Sequence, residues 1–275
     1  MAVVRENRSY VPTDLIDDGY NFSFAMFRLA RRQAVAWGCA STTGLPQIDD
    51  YLSTDLMEPP DADKDYRESL VLLPGMGVTY RLRPHAVGPR TRSEFGLVEK
   101  GPLVVLSQHL NKWLPKDDEI LKEITERTGQ PIVVFEYGYP SVVSIFRQRM
   151  KRLAVPIHWV PMMHRGLFMR LVALADVSLD PPDFSGGHTT YVTLAQKTPV
   201  VHLPSSLMRG RQASAHLTLS GIPQMIAGSR GEYVRTATDL DILEDARRNV
   251  QPESLFGDER PLRALENHIR TSLSS

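Results

Sequence analysis

The chain has 275 residues, of which 42% are hydrophobic and 23% charged, and 32 Lys and Arg balance 32 Asp and Glu. This composition is typical of an ordinary globular protein of one large or two modest domains, and the balanced charge excludes an overall attraction to nucleic acid or to an anionic membrane. The single cysteine, Cys39, excludes an internal disulfide and a Cys-based zinc site. Since no apolar run is long enough to span a membrane, we expect a cytoplasmic protein.

Three short apolar segments in the first hundred residues each have the length of one strand. They lie at residues 34–38, 50–53 and 70–73. Little alternation of strands and helices precedes residues 82–102, whose Arg, Pro and Gly content is typical of a linker. We therefore predict that residues 1–95 comprise a partial domain and a linker.

Strand-like and helix-like segments alternate from Gly101 onward. The predicted strands lie at residues 103–107, 131–136, 157–160, 175–179, 199–203 and 225–227, and the predicted helices at about 117–129, 141–153, 166–174, 189–196, 213–220 and 232–243. Such alternation indicates right-handed βαβ crossovers and a mostly parallel sheet. The predicted fold class is α/β, with a Rossmann-like domain over residues 96–255. A helix within residues 256–275 is expected to pack back onto the body.

One turn in this alternating region has the composition of a phosphate-binding turn. Asp180-Pro-Pro-Asp-Phe-Ser-Gly-Gly-His-Thr-Thr190 joins a predicted strand to a predicted helix. Its glycines let the backbone approach a ligand, the first N–H groups of the helix point outward, and the threonine hydroxyls add donors. From this pattern alone, a Gly-rich loop with a threonine helix cap and no ligand is an equally good interpretation.

Several segments together resemble one enzyme family, the O-GlcNAc transferases and their SPINDLY-type relatives. Ala34-Val-Ala-Trp-Gly-Cys-Ala-Ser-Thr-Thr-Gly-Leu-Pro46, Ile48-Asp-Asp-Tyr-Leu-Ser-Thr54 and Tyr66-Arg-Glu-Ser-Leu-Val-Leu-Leu-Pro74 are similar to the end of the N-terminal lobe of that family. The Gly-Gly-His-Thr-Thr turn and Thr198-Pro-Val-Val-His-Leu203 are similar to its donor-binding core.

The resemblance implies the GT-B architecture, in which two Rossmann-like lobes enclose a nucleotide sugar. This chain would supply the donor lobe and an incomplete second lobe. The family inverts the anomeric centre, uses UDP-GlcNAc or GDP-fucose, and modifies Ser or Thr hydroxyls of proteins. The family needs no metal for this transfer, so the resemblance implies neither a metal nor any other cofactor.

The resemblance also assigns roles around the donor diphosphate. Gly187, His188, Thr189 and Thr190 would contact the diphosphate. Lys112 matches the lysine that neutralises charge on the leaving nucleotide, and is the one catalytic residue predicted here.

Four further positions differ from the family's usual residues. His109 stands where the family has a glutamine near the diphosphate, and Arg165 falls near its uracil-reading lysine. Phe168 replaces a histidine that lies against the uracil, and Thr193 replaces an aspartate that often holds the ribose. Even with these four differences, the resemblance makes UDP the first choice of nucleotide.

The catalytic-cleft histidines of the family have no counterpart in this sequence. Asp18-Gly-Tyr20 resembles a turn of the family's cleft, but no residue is a convincing general base. The leading hypothesis is a glycosyltransferase that passes GlcNAc from UDP-GlcNAc to a protein or glycan acceptor, as a truncated form or with a second chain that supplies the acceptor lobe. The alternatives are a non-catalytic nucleotide-sugar-binding subunit and a degenerate interaction module.

Overall fold

The computed structural model describes residues 2–4, 9–11, 19–81 and 91–274. Asp18, in the turn that resembles the family's cleft, lies outside these ranges, as do residues 82–90 of the predicted linker. The chain divides into two compact units. Unit 1 comprises Met1–Arg81, Leu207–Arg209 and Gly257–Ser275, and unit 2 comprises Leu82–Ser206 and Gly210–Phe256. Within the described ranges, no helix has both the length and the apolar character needed to cross a membrane.

Unit 1 is built on one sheet. In its described part the strands are β1 (Ala2–Val4), β2 (Ser9–Val11), β3 (Arg32–Ala36), β4 (Asp50–Thr54) and β5 (Ser69–Leu73), and helix α1 (Gly19–Ala25) lies between β2 and β3. The spatial order follows the chain order; β1 and β2 are antiparallel and the other neighbours are parallel. The three strands predicted in the first hundred residues are confirmed as β3, β4 and β5.

Unit 2 is built on a second, parallel sheet. Its described strands are β6 (Val104–Leu106), β7 (Ile132–Phe135), β8 (Ile157–Val160), β9 (Val177–Leu179) and β10 (Val200–Val201). Its described α-helices are α2 (Asp118–Thr128), α3 (Pro140–Arg152), α4 (Arg165–Leu174), α5 (His188–Ala195), α6 (Gln212–Leu219), α7 (Arg230–Thr238) and α8 (Leu240–Asn249). The alternation predicted from the sequence is confirmed, and with it the Rossmann-like α/β class.

The strand order in unit 2 is β10-β9-β6-β7-β8, and all described pairs are parallel. The chain therefore moves outward from β6 to β8 and returns to the opposite side of β6 as β9. Every residue of β6, β7 and β9 is buried, as expected of strands covered on both faces. The strand order reverses between β6 and β9, and open parallel sheets bind ligands at the carboxyl edge of such a point.

The C-terminal helix predicted from a weak helical period is confirmed as α9 (Arg260–Ser274). It belongs to unit 1, where Ala264 and Leu265 pack against a small core of Ala34, Leu52 and Leu73. The helix thus covers apolar surface of the sheet formed by β3, β4 and β5.

Two predicted elements differ from the structure. The strand predicted at 225–227 is a 3-10 turn, Pro223–Met225, followed by a single bridge from Ile226 to His202. The N–H groups of Met225 and Ile226 donate within this turn, to Ile222 O at 3.1 Å and Pro223 O at 3.0 Å, and so are not available for a strand ladder. The helix predicted at 232–243 is two helices, because Asp239 is non-helical (φ −92°, ψ 105°) and its carboxylate accepts from the N–H groups of Asp241 and Ile242 as the cap of α8.

Helix α2 ends at Gly129, as predicted, with a left-handed φ of +64°. A Cβ at Gly129 would touch nothing within 4 Å, so Gly129→Ala isolates the cost of the left-handed backbone, about 1–2 kcal/mol of unfolding free energy. Gly231→Ala is the matched control, because a Cβ there is equally free but the backbone is helical. We expect the control to stabilise by up to about 1 kcal/mol. Urea unfolding of both variants measures the difference, and equal midpoints would contradict it.

Candidate active site

The candidate site lies at the reversal of strand order in unit 2. The loop after β6 carries Gln108, His109 and Lys112, and the loop after β9 carries the segment from Asp180 to Thr190. Since β6 and β9 are parallel neighbours, the two loops leave the same edge of the sheet. The sequence predicted both loops as ligand-binding, and the fold places them side by side.

A buried carboxylate organises the glycine turn. Asp180 is fully buried at the end of β9. Its Oδ1 accepts from the N–H of Gly186 at 2.7 Å and from Thr190 Oγ1 at 3.4 Å, and its Oδ2 accepts from Ser185 Oγ at 2.7 Å and lies 2.9 Å from His202 Nδ1. The sequence prediction did not include Asp180 as a site residue, although an aspartate at the end of a buried strand, directly before a glycine turn, was a usable signal.

The turn packs so closely that only glycine fits at position 186. A Cβ on Gly186 would overlap Gln108 Nε2 and Thr190 Oγ1. Gln108 is buried and donates to Thr190 Oγ1 at 3.3 Å, so the hydroxyl of Thr190 is engaged by the protein. Gly187 then precedes α5, whose first N–H groups have no intrahelical partner. These N–H groups give the turn a partial positive charge.

Lys112 brings a full positive charge to the same turn. Its Nζ donates to the carbonyl oxygen of Ser185 at 2.9 Å and lies 4.3 Å from the ring centroid of Phe184. In the described part of the chain, no carboxylate forms a salt bridge with it. Burial lowers the pKa of Lys112 to about 8, against the opposing influence of Asp180. A half-buried ammonium group without an anionic partner, beside a helix N-terminus, is an arrangement suited to a bound anion.

A cavity of about 310 Å³ adjoins the turn and brings together five of the predicted donor-binding residues. These are His109, Arg165, Phe168, His188 and Thr189. Two ring contacts form its walls: His109 against Tyr137 with centroids 4.0 Å apart, and Phe168 against Phe135 with centroids 4.9 Å apart. Flat apolar walls with a few polar groups fit a planar base and its ribose.

The imidazole of His188 stands at the start of α5. Partial burial, and to a smaller extent the nearby charge of Arg165, lowers its pKa below the usual value of 6.5. His188 is therefore neutral at pH 7 and can offer a hydrogen bond but no full charge to a phosphate.

Thr193 follows the cavity-lining residues along α5 and does not itself line the cavity. It is fully buried, and its Oγ1 has no hydrogen-bond partner among the described residues. The hydroxyl is thus not engaged by the protein, and its assignment to the ribose stays a prediction. Metal-free binding also stays a prediction; within residues 2–4, 9–11, 19–81 and 91–274, no group of three or more His, Cys, Asp or Glu could hold a metal ion.

The doubly wound parallel sheet, with a cationic glycine turn at its switch point, is the architecture of a nucleotide-binding α/β protein. Residues 115–255, slightly more than half of the chain, match the family described as glycosyl transferase family 41. This chain belongs to glycosyl transferase family 41.

Relatives in plants and in a nematode support this membership. A protein of Oryza sativa subsp. japonica, named probable UDP-N-acetylglucosamine–peptide N-acetylglucosaminyltransferase SPINDLY, is 28% identical over 252 residues, which are 87% of this chain and 26% of the rice protein. UDP-N-acetylglucosamine–peptide N-acetylglucosaminyltransferase of Caenorhabditis elegans is 39% identical over 82 residues, 28% of this chain and 7% of that protein. The chain thus spans about a quarter of the length of the rice relative.

Solved structures confirm the fold class. A mutant of the Thermobaculum terrenum O-GlcNAc transferase superposes with a TM-score of 0.80 at 21% identity, over 96% of this chain and 53% of that one. Trehalose-6-phosphate synthase OtsA superposes with a TM-score of 0.56 at 13% identity, over 96% of this chain and 71% of that one. The predicted fold, that of GT-B O-GlcNAc transferases, is therefore confirmed.

Proposed function

We propose that this chain binds a nucleotide sugar at the switch point of unit 2 and transfers the sugar to a hydroxyl acceptor. The observation that carries the proposal is the convergence of two positive groups on one glycine turn: the N-terminus of α5, and the ammonium group of Lys112, which has no carboxylate partner among the described residues. UDP-GlcNAc is the first choice of donor and a peptide the first choice of acceptor, because the rice and nematode relatives are named for that transfer. The acceptor hydroxyl of Ser or Thr is what the family resemblance adds to this proposal.

In the proposed reaction the acceptor oxygen attacks the anomeric carbon in line and loses its proton to a base that we do not assign. The bond from that carbon to the diphosphate oxygen breaks, and its electron pair stays on the departing nucleotide. Lys112 and the first N–H groups of α5 stabilise the negative charge that develops there. The cavity lined by His109 and Phe168 would hold the uracil ring of the donor, which would place the diphosphate at the glycine turn.

Calorimetric titration of the full chain with UDP, UDP-GlcNAc and GDP tests the proposal. We expect micromolar binding of UDP and UDP-GlcNAc, weaker binding of GDP, and the same affinities with EDTA or with Mn²⁺. Absence of binding by a folded sample would remove the basis of the transferase proposal. Binding without sugar transfer to any peptide would instead favour the non-catalytic nucleotide-sugar-binding subunit.

Donor binding should weaken at alkaline pH. Because the pKa of Lys112 is lowered to about 8, the free protein loses its ammonium charge as the pH rises through that value. A bound diphosphate stabilises the charged form, so above about pH 8 the affinity for UDP-GlcNAc should fall toward tenfold per pH unit. His188, whose pKa is lowered from 6.5, stays neutral over this range. Titrations at pH 7, 8 and 9 measure the effect, and Lys112→Arg should abolish the pH dependence.

A further inference from the structure

A second buried residue, His202, contacts the carboxylate that organises the glycine turn. We infer that His202 is a positioning residue for this site and that it acts through Asp180. The inference rests on the proposed function, since it concerns how the same site holds a diphosphate. His202 lies directly after β10 and is neither in the glycine turn nor in the cavity lining.

The backbone holds the imidazole of His202 in a defined place. The N–H of His202 donates to Met225 O at 3.1 Å, and its carbonyl accepts from the N–H of Ala227 at 2.7 Å. On the neighbouring strand, the N–H of Asp180 donates to Val201 O at 3.0 Å. Both side chains are fully buried, so the pair is shielded from water.

The hydrogen bonds of Asp180 set the protonation pattern of the histidine. A carboxylate only accepts hydrogen bonds, so His202 places a proton on Nδ1. Its Nε2 has no hydrogen-bond partner within the described residues, which makes the contact with Asp180 the main polar constraint on the ring. Without the Nδ1 donor of His202, Oδ2 of Asp180 would keep Ser185 Oγ as its one donor within the described residues. A buried carboxylate is costly unless such donors satisfy it.

The contacts continue from Asp180 to both groups that would bind the diphosphate. Ser185 donates to Asp180 through Oγ, and its carbonyl oxygen accepts from Lys112 Nζ. Gly186, two residues before α5 begins, donates its N–H to the same carboxylate. A shift of Asp180 therefore displaces the ammonium group and the helix N-terminus together, and small displacements of such groups are costly for binding and catalysis.

The test compares His202→Leu with His202→Asn, because asparagine can place an amide N–H near the position of Nδ1. The ligands are UDP, inorganic pyrophosphate and uridine, titrated by calorimetry at a temperature where circular dichroism shows each variant folded. We expect His202→Leu to bind UDP and pyrophosphate about tenfold more weakly, with the affinity for uridine unchanged. His202→Asn should recover most of the lost affinity.

His216→Leu is the matched control, because His216 is also fully buried but its Nδ1 pairs with the carbonyl of Gln212. It should lower the melting temperature without changing the ratio of UDP to uridine affinity. If His202→Leu weakens UDP and uridine equally, or neither, the positioning role is wrong. If the wild-type chain itself binds no UDP, the proposed function fails, and this outcome is distinct from a failure of the inference.

Discussion

Replacing Lys112 with alanine should slow sugar transfer roughly 100- to 1000-fold and weaken UDP binding at least about tenfold. The ammonium group is held at the glycine turn by the carbonyl of Ser185 and pairs with no carboxylate in the described part of the chain. Its charge is thus available to the departing diphosphate, and Arg165 is the one predicted donor-binding residue besides Lys112 that is a lysine or an arginine. Measured kcat and UDP affinity report the two effects separately.

Lys116→Ala is the matched control for Lys112→Ala. Lys116 lies four residues further along the same loop, is exposed, and pairs with Asp183 at 2.6 Å. Its removal should change kcat and UDP affinity less than about twofold, because exposed ion pairs contribute little. Equal losses in the two variants would mean that general electrostatic attraction, and not the position of Lys112, determines donor binding.

Replacing Asp180 with alanine should lower the free energy of unfolding by about 3–5 kcal/mol and abolish diphosphate binding. The substitution leaves the N–H of Gly186, the hydroxyl of Ser185 and Nδ1 of His202 without their acceptor in a site closed to water. Each unsatisfied buried donor costs about 1–3 kcal/mol. Urea unfolding measures the first effect and UDP titration below the transition measures the second.

Asp183→Asn serves as the control within the same segment. Asp183 is only half-buried and forms the surface ion pair with Lys116, so the change should cost less than about 1 kcal/mol. Asp180→Asn keeps one carbonyl oxygen and should lie between the two variants in stability. An Asp180→Ala protein as stable as the Asp183→Asn protein would contradict the organising role of this carboxylate.

The fold of unit 2 was predictable to a large extent, because its signals are local. The apolar runs around Val105, Val133 and Val177 are short and β-branched, as buried parallel strands require, and Gly129 provides a distinct helix end. The break at Asp239 was not predicted, because a helical period continues across it. Only the backbone shows that its carboxylate caps the next helix.

The site was predictable in part. The turn from Gly186 to Thr190 and Lys112 were identified from composition and family resemblance, and the structure places both at one edge of one sheet. Asp180 and His202 were not predicted as site residues. Asp180 had a usable local signal, but its pairing with His202, 22 positions away, follows only from the adjacency of β9 and β10. The contacts of Thr190 could not be predicted from the sequence either. Its hydroxyl accepts a hydrogen bond from Gln108 and donates one to Asp180.

By itself, the sequence determined the α/β class, the positions of most strands and helices, and the glycine turn, because these depend on residue types within a few positions of one another. Only the tertiary structure decided the strand order, and thereby which loops meet. The reversal between β6 and β9 places Lys112 against Ser185, and that contact holds the ammonium group at the start of α5. Burial, which depends on every packed element around the site, then lowers the pKa of Lys112 and closes the pair of Asp180 and His202 to water.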